Sequence, residues 1–507
     1  MLDKCKELFD SWNRNMLNYC HWKSNEHLLP GLEGKTDLDV LLSKDDKLAG
    51  EAILHKLEFL QCKSQFGSRY PNVEDWVGFD ETTGSLIHLH LHYELVTGHK
   101  GMKEYSLPWT ALALQTRILD EENGVYTMEP NLEMMTLYTR IGLKADFLSL
   151  THSILGKYKL PKDVQNEIDW LKKRADIEKV HQYLYTYYGS RADDVFSIIM
   201  TDTIDATIFR KLRKIAESTF KKNSRVKCFR RLLEVFHFVY QIKLKHIIHK
   251  FTPIISKKVP ISGKGISLAL IGQDGSGKST VTMEIEKWLR WKIDAQRFYL
   301  GSGEHYNGFL KTIISKGTKY KHGNNTTKKI EEKGNFNAKQ KKRKKNLKNL
   351  IAAVLVSLNH LNVARRAYNV VGRSEKYRNR GGIPLFDRFP QVQFEGIYDG
   401  PKVSNYIRET GLDFLFVRWI ARREKRIIQK IQNHQPQLVF KLMLPPEESI
   451  RRKPFENLAA VTRKHEITKQ LEFPNAKVFS VDATQDYKNE LLFIKNEIWK
   501  ELIKSQS

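Results

Sequence analysis

The sequence predicts an α/β protein in which a parallel sheet with helices on both faces is preceded by a helical region and an α+β domain. Residues 266–507 alternate short apolar strands with amphipathic helices, a pattern typical of a parallel sheet covered on both sides. Residues 146–258 have helical periodicity, and residues 1–145 mix helix and strand periods. We therefore expect three regions, 1–145, 146–258 and 259–507.

The composition favours a cytoplasmic protein. Hydrophobic residues make up 41% of the 507 residues, and the sequence shows no apolar run of the roughly 18 residues that a membrane span needs. The first segment, MLDKCKELFDSWNRN, lacks the apolar core of a secretion signal. Four cysteines without a CxxC spacing indicate reduced thiols. We expect no transmembrane segment.

Much of the net charge of +27 lies in one polar segment. Residues 311–348 contain fourteen Lys and Arg and two acidic residues, which is a net +12. The segment is of low complexity, so we predict a flexible basic insertion near 311–348. It is either a solubilising loop or an electrostatic arm for nucleic acid, an anionic membrane surface or a polyphosphate ligand.

An aspartate pair marks the first region. In TDLDVLL, Asp37 and Asp39 alternate along a predicted strand, so both carboxylates leave the same face. Ser24 precedes Asp37 by thirteen residues (37 − 24) in CHWKSNEHLLPGLEGKTD. Two carboxylates suit a hard cation that keeps its other positions for phosphates, so Asp37 and Asp39 are candidate magnesium ligands.

Three histidines alternate on a second predicted strand, SLIHLHLHYELV. His88, His90 and His92 share one face of this strand. Ile87, Leu89 and Leu91 share the other face. They would line a pocket or bind a softer metal such as zinc or manganese. The alternative is that they form the polar face of an edge strand.

A glycine loop opens the third region. Residues 272–279, GQDGSGKS, match G-x-x-x-x-G-K-[ST] between an apolar strand and the helix STVTMEIEKWLRWK. Glycines let backbone N–H groups point at phosphate oxygens, Lys278 would reach the β- and γ-phosphates, and Ser279 would bind magnesium. The predicted nucleotide-binding residues are Gly272, Gln273, Asp274, Gly275, Ser276, Gly277, Lys278, Ser279 and Thr280.

Two later segments carry further candidates. GGIPLFDRFP is a short strand that ends in Asp387 and Arg388, where parallel strands open onto a ligand crevice. Asp387 would organise magnesium and Arg388 would hold a phosphate by two parallel bonds. LVFKLMLPPEESIRRKP is a predicted strand, turn and helix start, with Arg451 and Arg452 close behind. Lys278, Asp387, Arg388, Arg451 and Arg452 are the predicted catalytic residues.

These motifs, together with the last strand VDAT, resemble the thymidylate kinase group of P-loop nucleoside monophosphate kinases in their order. The resemblance implies transfer of the γ-phosphoryl group of ATP to dTMP with Mg²⁺. It places Asp274 at the acceptor sugar, Arg388 at the acceptor phosphate, and Arg451 and Arg452 in a mobile lid. The acceptor is left open, because YLGSGEH stands where that family carries an Arg-Glu-Pro-Gly-Gly stretch.

The first region resembles the nucleotidyltransferase fold, through Lys23-Ser24 followed by the D-x-D of Asp37 and Asp39. That fold holds a nucleotide phosphate on the turn, magnesium on the two acids, and a third acid from a later strand. The resemblance implies a nucleotidyltransferase-like first domain.

We predict an ATP- and Mg²⁺-dependent kinase acting on a nucleoside monophosphate (dTMP) or a similar phosphorylated acceptor. One alternative is a nucleotidyltransferase with a nucleotide-sensing P-loop domain, and another is a nucleotide-gated nucleic-acid-binding protein. The expected partners are a nucleotide or small phosphorylated acceptor and, through the insertion, nucleic acid or an anionic surface. A homodimer is left open.

Overall fold

The computed structural model describes residues 1–63, 70, 72–99, 102–144, 152–226, 260–300, 335–454 and 457–506, with the backbone alone for 335–346. The chain forms two compact units. The first contains Met1–Ser262, Trp291–Asp294 and Leu502–Ser507, and the second contains Gly263–Arg290 and Ala295–Glu501.

A mixed sheet of seven strands forms the base of the first unit. The strands of this unit are β1 (Tyr19–His21), β2 (Leu38–Leu42), β3 (Leu60–Cys62), β4 (Val73–Asp80), β5 (Ser85–His92), β6 (Val96–Thr97), β7 (Tyr105–Ser106), β8 (Ile118–Asp120) and β9 (Val125–Thr127). The large sheet has the order β3-β4-β5-β2-β1-β9-β8, and β6 pairs with β7 separately.

The helices of the first unit are α1 (Asp3–Arg14), α2 (Leu28–Leu32), α3 (Lys47–Lys56), α4 (Thr110–Gln115), α5 (Pro130–Leu143), α6 (Lys162–Lys172), α7 (Ile177–Tyr188), α8 (Ala192–Ile199) and α9 (Ala206–Thr219). Asp205 caps α9, because its carboxylate accepts hydrogen bonds from the N–H groups of Thr207 and Ile208, both at 2.8 Å. Helices α5 to α9 share one apolar core.

Strand β5 is an interior strand of this sheet. It runs parallel to β2 on one side and antiparallel to β4 on the other. Leu89 and Leu91 point into a core with Trp12 of α1, so the alternate residues of β5 point to the opposite face. The alternative of an edge strand for the three histidines is therefore wrong.

The second unit contains a parallel sheet of five strands. They are β10 (Leu268–Gly272), β11 (Ala295–Phe298), β12 (Ile383–Asp387), β13 (Leu438–Met443) and β14 (Lys477–Asp482). The order is β11-β12-β10-β13-β14, and every pair is parallel. All five residues of the central strand β10 are buried, which explains its continuous apolar run.

Helices cover both faces of this sheet. They are α10 (Lys278–Leu289), α11 (Asn335–Arg378), α12 (Lys402–Thr410), α13 (Leu415–Gln432), α14 (Pro446–Arg452), α15 (Leu458–Gln470) and α16 (Tyr487–Lys504). Ala269 and Ile271 of β10 pack in one cluster with residues of α11, α13 and α15. Helix α10 packs on β10, β11 and β12. The predicted α/β class is confirmed.

The basic insertion differs from the prediction in its last part. Residues 311–334 lie outside the described residues, but residues 335–348 begin the 44-residue helix α11. This part of the chain has no proline or glycine before Gly372 and is rich in Lys, Arg, Leu and Ala, which are strong helix formers. Low complexity alone therefore missed a helix here.

Among the described residues, one stretch of α11, Leu347–Arg378, is long and apolar enough to cross a membrane by length and composition alone. Core helices of soluble proteins meet the same test. In this stretch, Ala353 and Leu361 are buried in a cluster with Val417 and Ile420 of α13.

The predicted region 146–258 contains α6 to α9, all within the first unit. Its last segment, RLLEVFHFVYQIKLKHIIHKF, lies outside the described residues.

Candidate functional sites: a glycine loop and an aspartate–histidine cluster

The glycine loop lies between β10 and α10 in the second unit. Gly275 and Gly277 both have φ of +84°, a left-handed conformation that L side chains rarely adopt. A Cβ atom on Gly272 would lie 2.6 Å from Ser276 Oγ and 2.7 Å from the Leu442 carbonyl oxygen. Glycine is therefore required at three positions, two for conformation and one for space.

Lys278 begins α10 and is folded back over the loop. Its Nζ donates a hydrogen bond to the Gln273 carbonyl oxygen at 2.7 Å, and the residue is buried. Burial, with the nearby charge of Arg388, lowers the pKa of Lys278 to about 8. A buried cation with a backbone carbonyl as its partner is suited to an incoming anion.

Ser279 and Asp387 meet at the start of α10. The Ser279 hydroxyl donates a hydrogen bond to Asp387 Oδ2 at 3.0 Å. Asp387 ends β12, and the register pairs it with Leu270 of β10. Asp387 Oδ1 is buried without a hydrogen-bond partner among the described residues. The two predicted magnesium ligands of this unit are thus adjacent.

Arg388 has an unusual backbone conformation, with φ of +97°. A non-glycine residue in such a region costs on the order of 1–3 kcal/mol and is typical of functional sites. Its guanidinium lies 3.9 Å from a carboxylate oxygen of Asp274 in the glycine loop. The peptide N–H of Arg388 donates to the Leu270 carbonyl oxygen at 3.2 Å, which fixes the turn after β12.

Asp274 is held by a second cation. Lys464 of α15 forms a short ion pair with it. Although burial disfavours its charge, the hydrogen bond and charge of Lys464 hold the pKa of Asp274 below its usual value. Lys464 was not among the predicted site residues. It could have been found from its position one turn after the buried Val461, on the core-facing side of an amphipathic helix.

Arg451 and Arg452 end α14 and have different environments. Both guanidinium groups bind Glu448, at 2.7 and 3.1 Å. Arg452 also donates to the carbonyl oxygens of Gly275, at 3.4 Å, and Ala483, at 3.0 Å. The Arg451 side chain is 79% exposed.

The other loop residues are fixed by neighbouring elements. Gln273 donates to the Leu444 carbonyl oxygen and meets His465 Nδ1 at 3.1 Å. The Asp274 carbonyl oxygen accepts a hydrogen bond from Ser449 at 2.6 Å. Ser276 is buried, and Thr280 is exposed on the first turn of α10.

The aspartate–histidine cluster lies on the polar face of β2, β4 and β5 in the first unit. The sheet register places His90 opposite Asp39 on one side and opposite Asp75 on the other. His90 Nδ1 lies 3.3 Å from Asp39, and its Nε2 lies 3.0 Å from Asp75. Burial alone would lower the pKa of His90, but hydrogen bonds with both carboxylates raise it to about 9.

His88, two residues before His90 on β5, also lies between two carboxylates. Its Nδ1 lies 3.0 Å from Asp37 and its Nε2 lies 3.3 Å from Asp75. His92 is fully buried, 3.5 Å from Asp39, and its burial lowers the pKa to about 3. Sequence reasoning missed Asp75; the hairpin of β4 and β5, closed at Asp80 and Ser85, was the signal that pairs it with His90.

Ser24, on the turn predicted before the aspartate pair, contacts an acidic side chain. Ser24 has φ of +55°, and its N–H donates to Glu167 Oε1 at 3.1 Å. Lys23 forms an ion pair with Asp39 at 2.8 Å. Lys103 is a further cation here, and burial, with the charge of Lys23, lowers its pKa to about 8.

Comparisons with known proteins concern part of the chain. No protein-family model matches it. It is 29% identical over 227 residues to the ATP-binding protein YghR of Escherichia coli K12, a match that covers 44% of this chain and 83% of YghR. The ATP-binding protein YghS of the same organism is 26% identical over 220 residues, covering 43% of this chain and 85% of YghS.

Among solved structures, a deoxyadenosine kinase from M. mycoides with bound dATP matches 46% of this chain and 98% of its own at 14% identity. The TM-score of 0.25 is too low to carry an argument. The assignment of the second unit as a P-loop α/β unit therefore rests on its parallel strand order and its glycine loop.

We predict that Gly272→Ala destabilises the second unit, because the added Cβ meets the Leu442 backbone, which cannot move aside easily. Gly372→Ala on α11 is the matched control, since nothing lies within 4 Å of its Cβ position. Replacing a helical glycine by alanine at such a site stabilises by about 0.4–1 kcal/mol. Urea unfolding of both variants measures the difference; equal midpoints would contradict the close packing at Gly272.

Proposed function

We propose that the second unit binds ATP and transfers its γ-phosphoryl group to a nucleoside monophosphate such as dTMP, or to a similar phosphorylated acceptor. The observation that carries this proposal is the 3.0 Å contact of Ser279 with Asp387 beside the glycine loop. It supplies a hydroxyl and a carboxylate at the point where a P-loop presents the terminal phosphates. Relatives that are named ATP-binding proteins support the nucleotide.

The loop and Lys278 would hold the phosphate chain. Left-handed glycines at 275 and 277 orient N–H groups into the loop, and the positive end of α10 adds to the attraction. On ATP binding, Lys278 Nζ would exchange its bond with the Gln273 carbonyl for a phosphate oxygen. Phosphoryl transfer needs mainly positioning and charge neutralisation, so no side chain here has to be a strong base.

Ser279 and Asp387 fit a magnesium ion. The buried Asp387 Oδ1 has no hydrogen-bond partner among the described residues, which leaves an oxygen for a metal or its bound water. When bound, Mg²⁺ neutralises charge on the phosphate oxygens. Asp387 and Ser279 would hold it.

Arg388 and Arg452 would serve the acceptor and the transferred group. Arg388, fixed by its backbone contact with Leu270, presents a planar guanidinium that can hold a phosphate by two bonds. Arg452 reaches the loop carbonyl of Gly275, whereas Arg451 is more exposed and would act only on closure.

We expect Lys278→Ala to abolish ATP turnover and to weaken ATP binding, because its charge is placed over the loop. Lys287→Ala, an exposed lysine on the same helix, is the matched control and should leave both unchanged. Calorimetric titration with ATP and an assay of ADP formation measure the two effects. Unchanged turnover in folded Lys278→Ala protein would remove this loop from the reaction.

We expect Arg388→Lys to lower kcat/KM for the acceptor, by a factor that corresponds to about 2 kcal/mol of lost transition-state stabilisation. The affinity for ATP should be nearly unchanged. The reason is that a lysine cannot form the two parallel bonds. The strained backbone is the same in both proteins, so the comparison isolates the side chain. Arg297→Lys, at an ion pair with Glu286, is the control. Equal effects on both substrates would show a structural role.

A second candidate function is nucleotidyl transfer in the first unit, which Lys23 and Lys103 beside the half-buried Asp39 favour. Two partly buried cations next to carboxylates suit a phosphate chain that is bound with a metal. In that case the nucleotidyl group of ATP or another nucleotide would pass to an acceptor hydroxyl with release of pyrophosphate, a product that Asp39→Asn should remove and Lys278→Ala should leave. Absence of pyrophosphate with every nucleotide tested would rule this candidate out.

A further inference from the structure

We propose that the first unit binds a divalent first-row transition metal, such as Mn²⁺ or Zn²⁺, through Asp37, His88 and His90. One ligand atom from each of the three lies within 4.8 Å of the other two. All three residues belong to the first unit, so this inference is independent of the proposed kinase function of the second unit.

The sheet register brings the three ligands together. His88 and His90 are two residues apart on β5, so their imidazoles lie on one face with ring centroids 4.4 Å apart. Strand β2 runs parallel to β5 and places Asp37 beside His88. Backbone hydrogen bonds of a central sheet thus fix the ligand spacing, and such a scaffold positions ligands more accurately than a loop does.

Both imidazoles face the same carboxylate, that of Asp75. His88 and His90 direct Nδ1 toward the β2 side and Nε2 toward Asp75, at 3.3 and 3.0 Å. A histidine that binds a metal through one nitrogen commonly donates the other N–H to a carboxylate, which fixes the ring. Asp75 has the place of such an orienting group for His90, and it lies at ion-pair distance from His88.

The ligand chemistry selects the metal. Mg²⁺ prefers oxygen ligands and keeps several waters, whereas imidazole nitrogens suit Fe²⁺ and Zn²⁺ and bind Mn²⁺ more weakly. Two nitrogens and one carboxylate therefore favour a transition metal over the magnesium that the aspartate pair alone suggests. Asp37 is 31% exposed and His90 is 27% exposed, so an ion can enter and keep positions for other ligands.

The cluster has polar atoms without a satisfactory partner. His88 is 3% exposed, and its Nε2 lies within ion-pair distance of Asp75 but makes no hydrogen bond of good geometry among the described residues. Lys292, which belongs to the first unit, contacts the Asp37 oxygen nearest His88. A bound metal would displace this lysine and take over its charge.

The test uses the full chain, stripped of metal with a chelator and dialysed without nucleotide against MnCl₂ or ZnCl₂. We expect one ion per chain by mass spectrometry, and nitrogen coupling in the pulsed electron paramagnetic resonance spectrum of the Mn²⁺ form. The variant His88→Ala/His90→Ala should lose the ion, and Asp75→Asn should weaken affinity by about 10–100-fold. Lys292→Met should bind at least as tightly as the natural chain.

Two controls separate this site from others. His181→Ala removes a half-buried histidine that pairs with Asp193 at 3.0 Å, and the variant should bind metal normally. Asp387→Asn, in the second unit, should also keep the ion. The proposal is overturned if the natural chain binds no stoichiometric Mn²⁺ or Zn²⁺, if nitrogen coupling is absent, or if Mg²⁺ competes at equal concentration. These outcomes are measured on the unaltered chain, so they stand even where a variant fails to fold.

Discussion

The parallel pairing of β10 with β12 is the constraint on which the site of the second unit depends. It sets Asp387 level with Leu270, two residues before the loop begins at Gly272. The loop then turns the chain by left-handed glycines so that Ser279 reaches Asp387. A shift of one residue in this pairing would turn the Asp387 side chain to the other face of the sheet. Burial of all five β10 residues keeps the register fixed.

In the first unit, too, the pairing of neighbouring strands fixes the positions of the clustered side chains. Three adjacent strands, β2, β5 and β4, place Asp39, His90 and Asp75 in one row across the sheet. The apolar residues between them are buried on the opposite face with α1. The apolar face of the sheet therefore stabilises the unit. The polar face brings together carboxylates that would repel one another without the histidines between them.

Much of the fold and of both sites could be predicted from the sequence, because it follows from patterns among residues that are neighbours in the chain. The glycine loop, the strand-end Asp387 and the strand periods of β2 and β5 follow from neighbouring residues. Asp75 and Lys464 were missed because their roles depend on pairing across strands or on helix packing, which a single sequence does not display. The helical start of α11 differs from the prediction because low complexity predicts disorder, whereas the helix-forming residues of this segment favour a helix.

We propose that the second unit moves a phosphoryl group from ATP to an acceptor. The most direct measurement is phosphorus NMR of the full chain with ATP, Mg²⁺ and, in separate samples, dTMP, other nucleoside monophosphates and sugar phosphates. If it does so, we expect that with one acceptor the γ-phosphate signal is replaced by equal amounts of ADP and phosphorylated acceptor. ADP formation that never depends on the acceptor, with the phosphate appearing only as free inorganic phosphate, would contradict it.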